Sequence, residues 1–307
     1  MRNLETRRPF TRADAIAAGI SPKQLRGSKY RRTFYGVYVE ARVPDHPVVR
    51  SQAALLLHPP TASASHFSAG RIYRLPMPGN PFEHVTVARA ADRTERDGIR
   101  CHVDTPGPGA VQVKEGVRVS SPVRMFLEIA SFLSLVDLVV VGDAMVRLGL
   151  VTATELRTAC DASTDRNARA ARRAASWVRA RVDSAMESRL RMLIVLAGLP
   201  EPRVNHEVRD DYGNLLMRFD LSYPDIKLII EYDGRQHAQR SKQWLHDLKR
   251  REHLDEERWR IVVVTSEGIY KRPLDTVSRV RRALKQQGCH GITAQPSEAW
   301  RPYFPTS

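Results

Sequence analysis

The spacing of apolar and polar positions changes several times along the chain, and each change predicts an element. Thr11-x-x-Asp14 and Ser21-Pro22-Lys23-Gln24 are two successive capping boxes, the second with Pro at the first helical position, and Gly19 separates them. They predict two short helices joined by a tight turn. Tyr30 to Val39 follows, rich in β-branched and aromatic residues around Gly36, and predicts a two-stranded wing behind a helix-turn-helix. Val48 to Leu57 reads as a helix, His84 to Ala88 and Val111 to Val119 as strands, and 121 to 160 as helical from the start signal Ser121-Pro122. The Arg/Ala-rich run from Asp161 to Asp183 shows little apolar periodicity and predicts an exposed linker helix.

Ser184 opens an amphipathic helix with Met186, Leu190, Leu193, Ile194 and Ala197 on its apolar stripe, stopped by Gly198 and Pro200. Strands are predicted at Val204 to Val208, Leu215 to Tyr223 after the turn Asp211 to Asn214, and Ile226 to Asp233. A long helix, Ser241 to Arg258, leads into the apolar strand Ile261 to Thr265, and 274 to 287 predicts a last basic helix. The tail from Cys289 to Ser307 reads as poorly structured or laid on the surface. The organisation expected is therefore multidomain, α+β to α/β. It comprises a winged helix-turn-helix over 1–45, an α+β region over 46–160, the linker over 161–183, a second α/β domain over 184–288 and the tail.

Charge narrows the partners. Forty-nine basic residues, mostly Arg, against 34 acidic ones leave +15, which favours a polyanion such as DNA or RNA, although an Arg bias in an Ala-rich chain also follows genome base composition. Lys23, Gln24, Arg26, Lys29, Arg31 and Arg32, on the second short helix and the wing, are of the types that reach phosphates and base edges. Three scattered cysteines form no CxxC pair, and no apolar run of spanning length is uninterrupted, so a cytoplasmic protein without membrane segments is expected.

Candidate chemistry lies in the second half. Alternation places Asp220 with Arg218 and Ser222, and Glu231 with Ile229 and Asp233. If Pro224-Asp225 makes a two-residue turn, Asp220 faces Ile229 and Glu231 lies diagonally on the same face, about 7 to 8 Å away between backbones. Two carboxylates on a buried hairpin need a compensating cation, and oxygen donors suit Mg²⁺ or Mn²⁺. Solvated acids on a surface hairpin are the plainer alternative. Glu187 borders the apolar stripe of its helix, yet Ser184-x-x-Glu187 is also a capping box, which accounts for it without chemistry.

Two resemblances follow from these residues. Gly36-Val37-Tyr38, the strand His84 to Arg89 and the helix start Val119-x-Ser121-Pro122-x-Arg124 resemble the AbiEi-like antitoxins of type IV toxin–antitoxin systems, over the first half of the chain. Arg218-Phe219-Asp220, Ile230-Glu231-Tyr232-Asp233-Gly234-x-x-His237, Asp247-x-x-Arg250-x-x-x-Leu254 and Trp259-x-Ile261-Val262-Val263-Val264 form an ordered series. It is similar to the very-short-patch-repair (Vsr-like) endonucleases of the PD-(D/E)XK superfamily, over residues 184 to 287.

The second resemblance implies a restriction-endonuclease-like α/β core, Asp220 and Glu231 as metal ligands, and Glu187 contributing from its helix. The chain departs from the pattern where the superfamily usually has Lys, since Asp233 stands there. His237 then becomes the candidate general base or proton relay. Asp247 and Arg250 would flank the site, although a helix-surface ion pair explains their spacing equally well. The combined expectation is a metal-dependent DNA endonuclease targeted by a winged helix. The rival is an antitoxin-like transcriptional repressor that keeps the nuclease fold only as a platform for DNA or a toxin partner.

Overall fold

The computed structural model describes residues 4–209, 212–234, 254, 257–293 and 295–304. Among the described residues it is a mixed α+β protein with three sheets, and the chain divides into two compact units: Met1–Phe132 with Thr158–Ala171, and Leu133–Arg157 with Arg172–Ser307.

The first unit begins with β1 (Phe10–Thr11), α1 (Arg12–Ala17), α2 (Pro22–Leu25), β2 (Tyr30–Phe34) and β3 (Val37–Glu40), whose strands form a sheet of order β1-β3-β2. Both capping boxes form: the Thr11 and Ser21 hydroxyls accept from the backbone N–H of Asp14 and Gln24, whose side chains accept in return. Phe10, Ala15, Leu25 and Tyr30 make the small core beneath. The rest of this unit carries α3 (Pro47–Leu55), β4 (Ser63–Ala64), α4 (His66–Ile72), β5 (Glu83–Val87), β6 (Ile99–Val103), β7 (Val111–Lys114), β8 (Val117–Ser120) and α5 (Pro122–Ile129). Its five strands run in the order β6-β5-β4-β8-β7. The single strand expected at 111–119 is a hairpin, because Glu115 and Gly116 both take positive φ and turn the chain.

The predicted helical stretch resolves into α5, α6 (Leu135–Arg147) and α7 (Ala153–Ala162), followed by α8 (Ala168–Ala175). The Arg/Ala-rich segment is not an exposed linker. Ala168, Ala171, Ala174, Ala175, Val178 and Val182 are all buried. Its inward stripe is made largely of alanine, which packs at helical spacing without registering as strongly apolar.

The second unit adds α9 (Ala185–Leu196), β9 (Arg203–Arg209), β10 (Leu215–Tyr223), β11 (Leu228–Asp233), β12 (Arg260–Thr265), α10 (Ser266–Tyr270) and α11 (Pro273–Gln286). β9, β10 and β11 form an antiparallel meander, and β12 lies parallel to β11 at the other edge. Leu228, Ile229 and Ile230 are fully buried, as a strand paired on both sides requires. The tail is not loose: Trp300 and Phe304 are buried, and Ser297 donates its backbone N–H to the Ala197 carbonyl at 2.9 Å. Those two aromatics supply enough apolar area to hold an otherwise polar segment in place.

Candidate functional site

The connection between β10 and β11 is longer than the two residues expected. Pro224–Ile226 makes one 3-10 turn and Lys227, at φ 51°, takes the left-handed position that ends it. The pairs Leu221↔Ile230, Ser222↔Ile229 and Tyr223↔Leu228 follow. Asp220 therefore precedes Leu221 as Glu231 follows Ile230, so the acids occupy directly opposed positions rather than diagonal ones. Because the register differs from the expected one by an even number of residues, they keep a common face. The Asp220 carboxylate accepts from the Tyr232 backbone N–H at 3.3 Å, which ties it to the neighbouring strand beside Glu231.

Glu187 is buried near the start of α9. Half of the expected capping box forms, with the Ser184 hydroxyl accepting from the Glu187 backbone at 3.1 Å, while the Glu187 carboxylate accepts from the Asp183 backbone at 3.0 Å. Burial pushes the Glu187 carboxyl above its usual range against the pull of these hydrogen bonds, and the negative charge of Asp220 pushes the same way. Glu187 and Asp220 thus share one electrostatic neighbourhood. Asp233 ends β11 half-buried. His237, Asp247 and Arg250 lie outside the described residues.

In the first unit, Lys23, Gln24, Arg26, Lys29 and Arg32 are exposed. Arg31 is different: it donates to the Val43 and Pro44 carbonyls at 3.3 Å each and pairs with Asp45 at 3.4 Å, so it braces the chain after β3. Gln24 spends its carbonyl oxygen on the Ser21 N–H at 2.7 Å and has only its amide nitrogen to offer elsewhere. Arg32 borders a cavity of about 610 Å³ whose wall includes Tyr35, Arg50 and Arg96.

Sequence reasoning missed a histidine cluster in this unit. One ring nitrogen from each of His66, His84 and His102 lies within 4.8 Å of the others, a group of three potential metal ligands. His66 and His102 stack with centroids 3.8 Å apart, and Phe132 meets all three rings edge-on. Burial first, then neighbouring imidazoles for His66 and His84 and nearby arginines for all three, pulls their pKa values down to about 2, 3 and 4 for His66, His84 and His102. The 3.7 Å approach of His66 to Glu128 is therefore not an ion pair, because the imidazole is neutral. Nothing local marks the cluster. No His-x-x-His spacing occurs, and only the placement of α4, β5 and β6 assembles it.

Among the described residues no helix is long and apolar enough to cross a membrane. No family model matches the chain. Two curated proteins from strains of Mycobacterium tuberculosis, both described as uncharacterized, are each 30% identical to it over 115 residues. That stretch is 38% of this chain and 42% of each relative, so the match spans about two fifths of the curated relatives' length. The likeness ties part of the chain to these two proteins and carries no activity with it.

Proposed function

We propose that the chain is a metal-dependent DNA endonuclease, with a winged-helix module over β1 to β3 for targeting and a PD-(D/E)XK-type core in the second unit for cleavage. The observation that carries this reading is the opposed placement of Asp220 and Glu231 on the β10–β11 hairpin, with Glu187 within reach of the Asp220 charge. The surrounding order supports it: a helix, a three-stranded meander, and a fourth strand parallel to the third. The donor set fits Mg²⁺ or Mn²⁺, since it consists of carboxylate oxygens whose mutual repulsion a hard cation relieves.

Asp220 and Glu231 would hold the ion, and the Tyr232 N–H helps to fix the Asp220 carboxylate beside Glu231. Glu187 would orient a water from the helix side. The ion, when bound, supplies Lewis-acid stabilisation of phosphoryl oxygens and a more acidic water. His237 is assigned the proton-accepting role. Supercoiled plasmid should become relaxed or linear with Mg²⁺ or Mn²⁺ and stay intact with chelator. A chain that cleaves neither DNA nor RNA with either ion is not a nuclease.

Asp233, in the place of the usual Lys, favours a second reading: an antitoxin-like transcriptional repressor that retains the fold without the activity. Calorimetric titration separates the two, because a degenerate site takes up neither ion.

For the winged helix, the full chain in chelator should bind duplex DNA with salt-dependent affinity. Arg32→Ala is expected to flatten the slope of log affinity against log salt by about 0.9, the value of one phosphate contact. Arg31→Ala should leave that slope nearly unchanged, because its guanidinium is already held by Val43, Pro44 and Asp45. Equal slopes for wild type and Arg32→Ala would remove Arg32 from the interface.

A further inference from the structure

The histidine cluster has the marks of a built site. His66 opens α4, His84 lies on β5 and His102 on the adjacent parallel strand β6, so three separate elements deliver three imidazoles to one point. His66 takes φ 47°, the left-handed region that a side chain with a β-carbon disfavours, and its N–H donates to the buried Glu128 carboxylate at 2.9 Å. Strain of this kind persists where the surroundings over-determine it, and it concentrates at functional positions.

Outer partners fix the donor atoms. Asn80 Oδ1 accepts from the Phe82 backbone N–H at 2.9 Å, which identifies that atom as oxygen. The same oxygen lies 3.3 Å from His84 Nε2, so Nε2 carries the proton and donates. His84 Nδ1 is left with its lone pair and accepts from His102 Nε2–H at 2.9 Å, so a bound metal ion would displace that one proton to the other His102 ring nitrogen or to solvent. Ser65 Oγ, 3.0 Å from His66 Nδ1, holds the third ring. For His84 and His66 this is the arrangement of metal-bound imidazoles, one nitrogen turned inward and the other tethered outward.

A zinc–nitrogen bond of about 2.0–2.1 Å in a tetrahedral site places ligand nitrogens roughly 3.3 Å apart. Ring nitrogens within 4.8 Å reach that spacing by small rotations. His66 and His102 also line a cavity of about 240 Å³, whose wall carries Arg124 and Glu128. That leaves one side of the cluster open, as in three-histidine sites whose fourth position holds water or an anionic oxygen.

We propose that His66, His84 and His102 bind one divalent transition metal of the zinc class, distinct from the carboxylate site in the second unit. Nitrogen donors select such an ion over Mg²⁺.

The test uses the untagged full chain, stripped by chelator and titrated with Co²⁺. One equivalent should give the intense visible bands of a nitrogen-rich tetrahedral site, Zn²⁺ should bleach them, and Mg²⁺ should not. His84→Gln and His102→Gln should each weaken Zn²⁺ binding by at least the ~10- to 100-fold that loss of an outer partner costs. His290→Ala, which removes an imidazole outside the cluster, should bind like wild type. If a Gln variant fails to fold, imidazole nitrogen resonances of the wild type decide, since Zn²⁺ must shift those of all three histidines. Wild type that shows no bands with Co²⁺, or variants that bind Zn²⁺ as tightly as wild type, would overturn the site and leave a hydrogen-bonded histidine stack. Neither result bears on nuclease activity.

Discussion

Asp220→Ala and Glu231→Ala are each expected to reduce Mg²⁺-dependent plasmid cleavage by at least about 10²-fold, the scale on which loss of one electrostatic contributor to a transition state is felt. The acids are opposed on a hairpin whose next three pairs, Leu221↔Ile230 to Tyr223↔Leu228, are almost wholly buried. The strands are therefore held independently of the carboxylates, and both variants should keep wild-type melting temperatures. DNA affinity measured in chelator should be preserved or raised, because each change removes a negative charge facing phosphate. Glu187→Gln is a milder case. Its carboxyl is already pushed towards the protonated form by burial and by Asp220, so the amide should fold normally and lose less activity than either Ala variant. Undiminished cleavage by both Ala variants would move the active site elsewhere.

What the sequence made legible was local. The capping boxes at Thr11–Asp14 and Ser21–Gln24 require only side chains three residues apart to satisfy each other's backbone, and both form as read. The burial of Leu228 to Ile230 was legible because an apolar run without alternation is what a doubly paired strand needs. The β10–β11 register was not, since Lys227 fills a left-handed position where Gly or Asn would have announced the longer turn. The error was harmless to the site because a shift of two residues preserves the face, whereas a shift of one would have separated Asp220 from Glu231. Arg31 was counted with the DNA contacts on residue type alone. Its partners Val43, Pro44 and Asp45 come from the segment after the β2–β3 hairpin, which no pattern within those two strands reveals. The histidine cluster lay furthest from view, because its assembly depends on which strands become neighbours.

Arg191→Met is expected to destabilise the second unit by about 3–5 kcal/mol, the cost of breaking a buried ion pair on one side only. Arg191 on α9 is fully buried and donates to Asp143 on α6 at 2.9 Å, to the Trp177 carbonyl at 2.8 Å and to Glu201 at 3.0 Å. Asp143 also accepts from the Ser188 hydroxyl at 2.7 Å and the Arg179 backbone at 2.8 Å. Burial pushes the Asp143 carboxyl upward and Arg191 pulls it back, so removing the guanidinium leaves a carboxylate with two neutral donors and no countercharge. For a unit of this size each kcal/mol moves the midpoint by roughly 2–4 °C, so a fall of about 6–20 °C should appear in a thermal melt. The double variant Asp143→Leu with Arg191→Met should be less destabilised than the two single changes summed, because it removes both charges together. Additive losses would mean that the pair contributes packing alone. Since α9 also carries Glu187, cleavage by Arg191→Met below its lowered midpoint should remain close to wild type, which distinguishes a residue that holds the helix from one that works in the site.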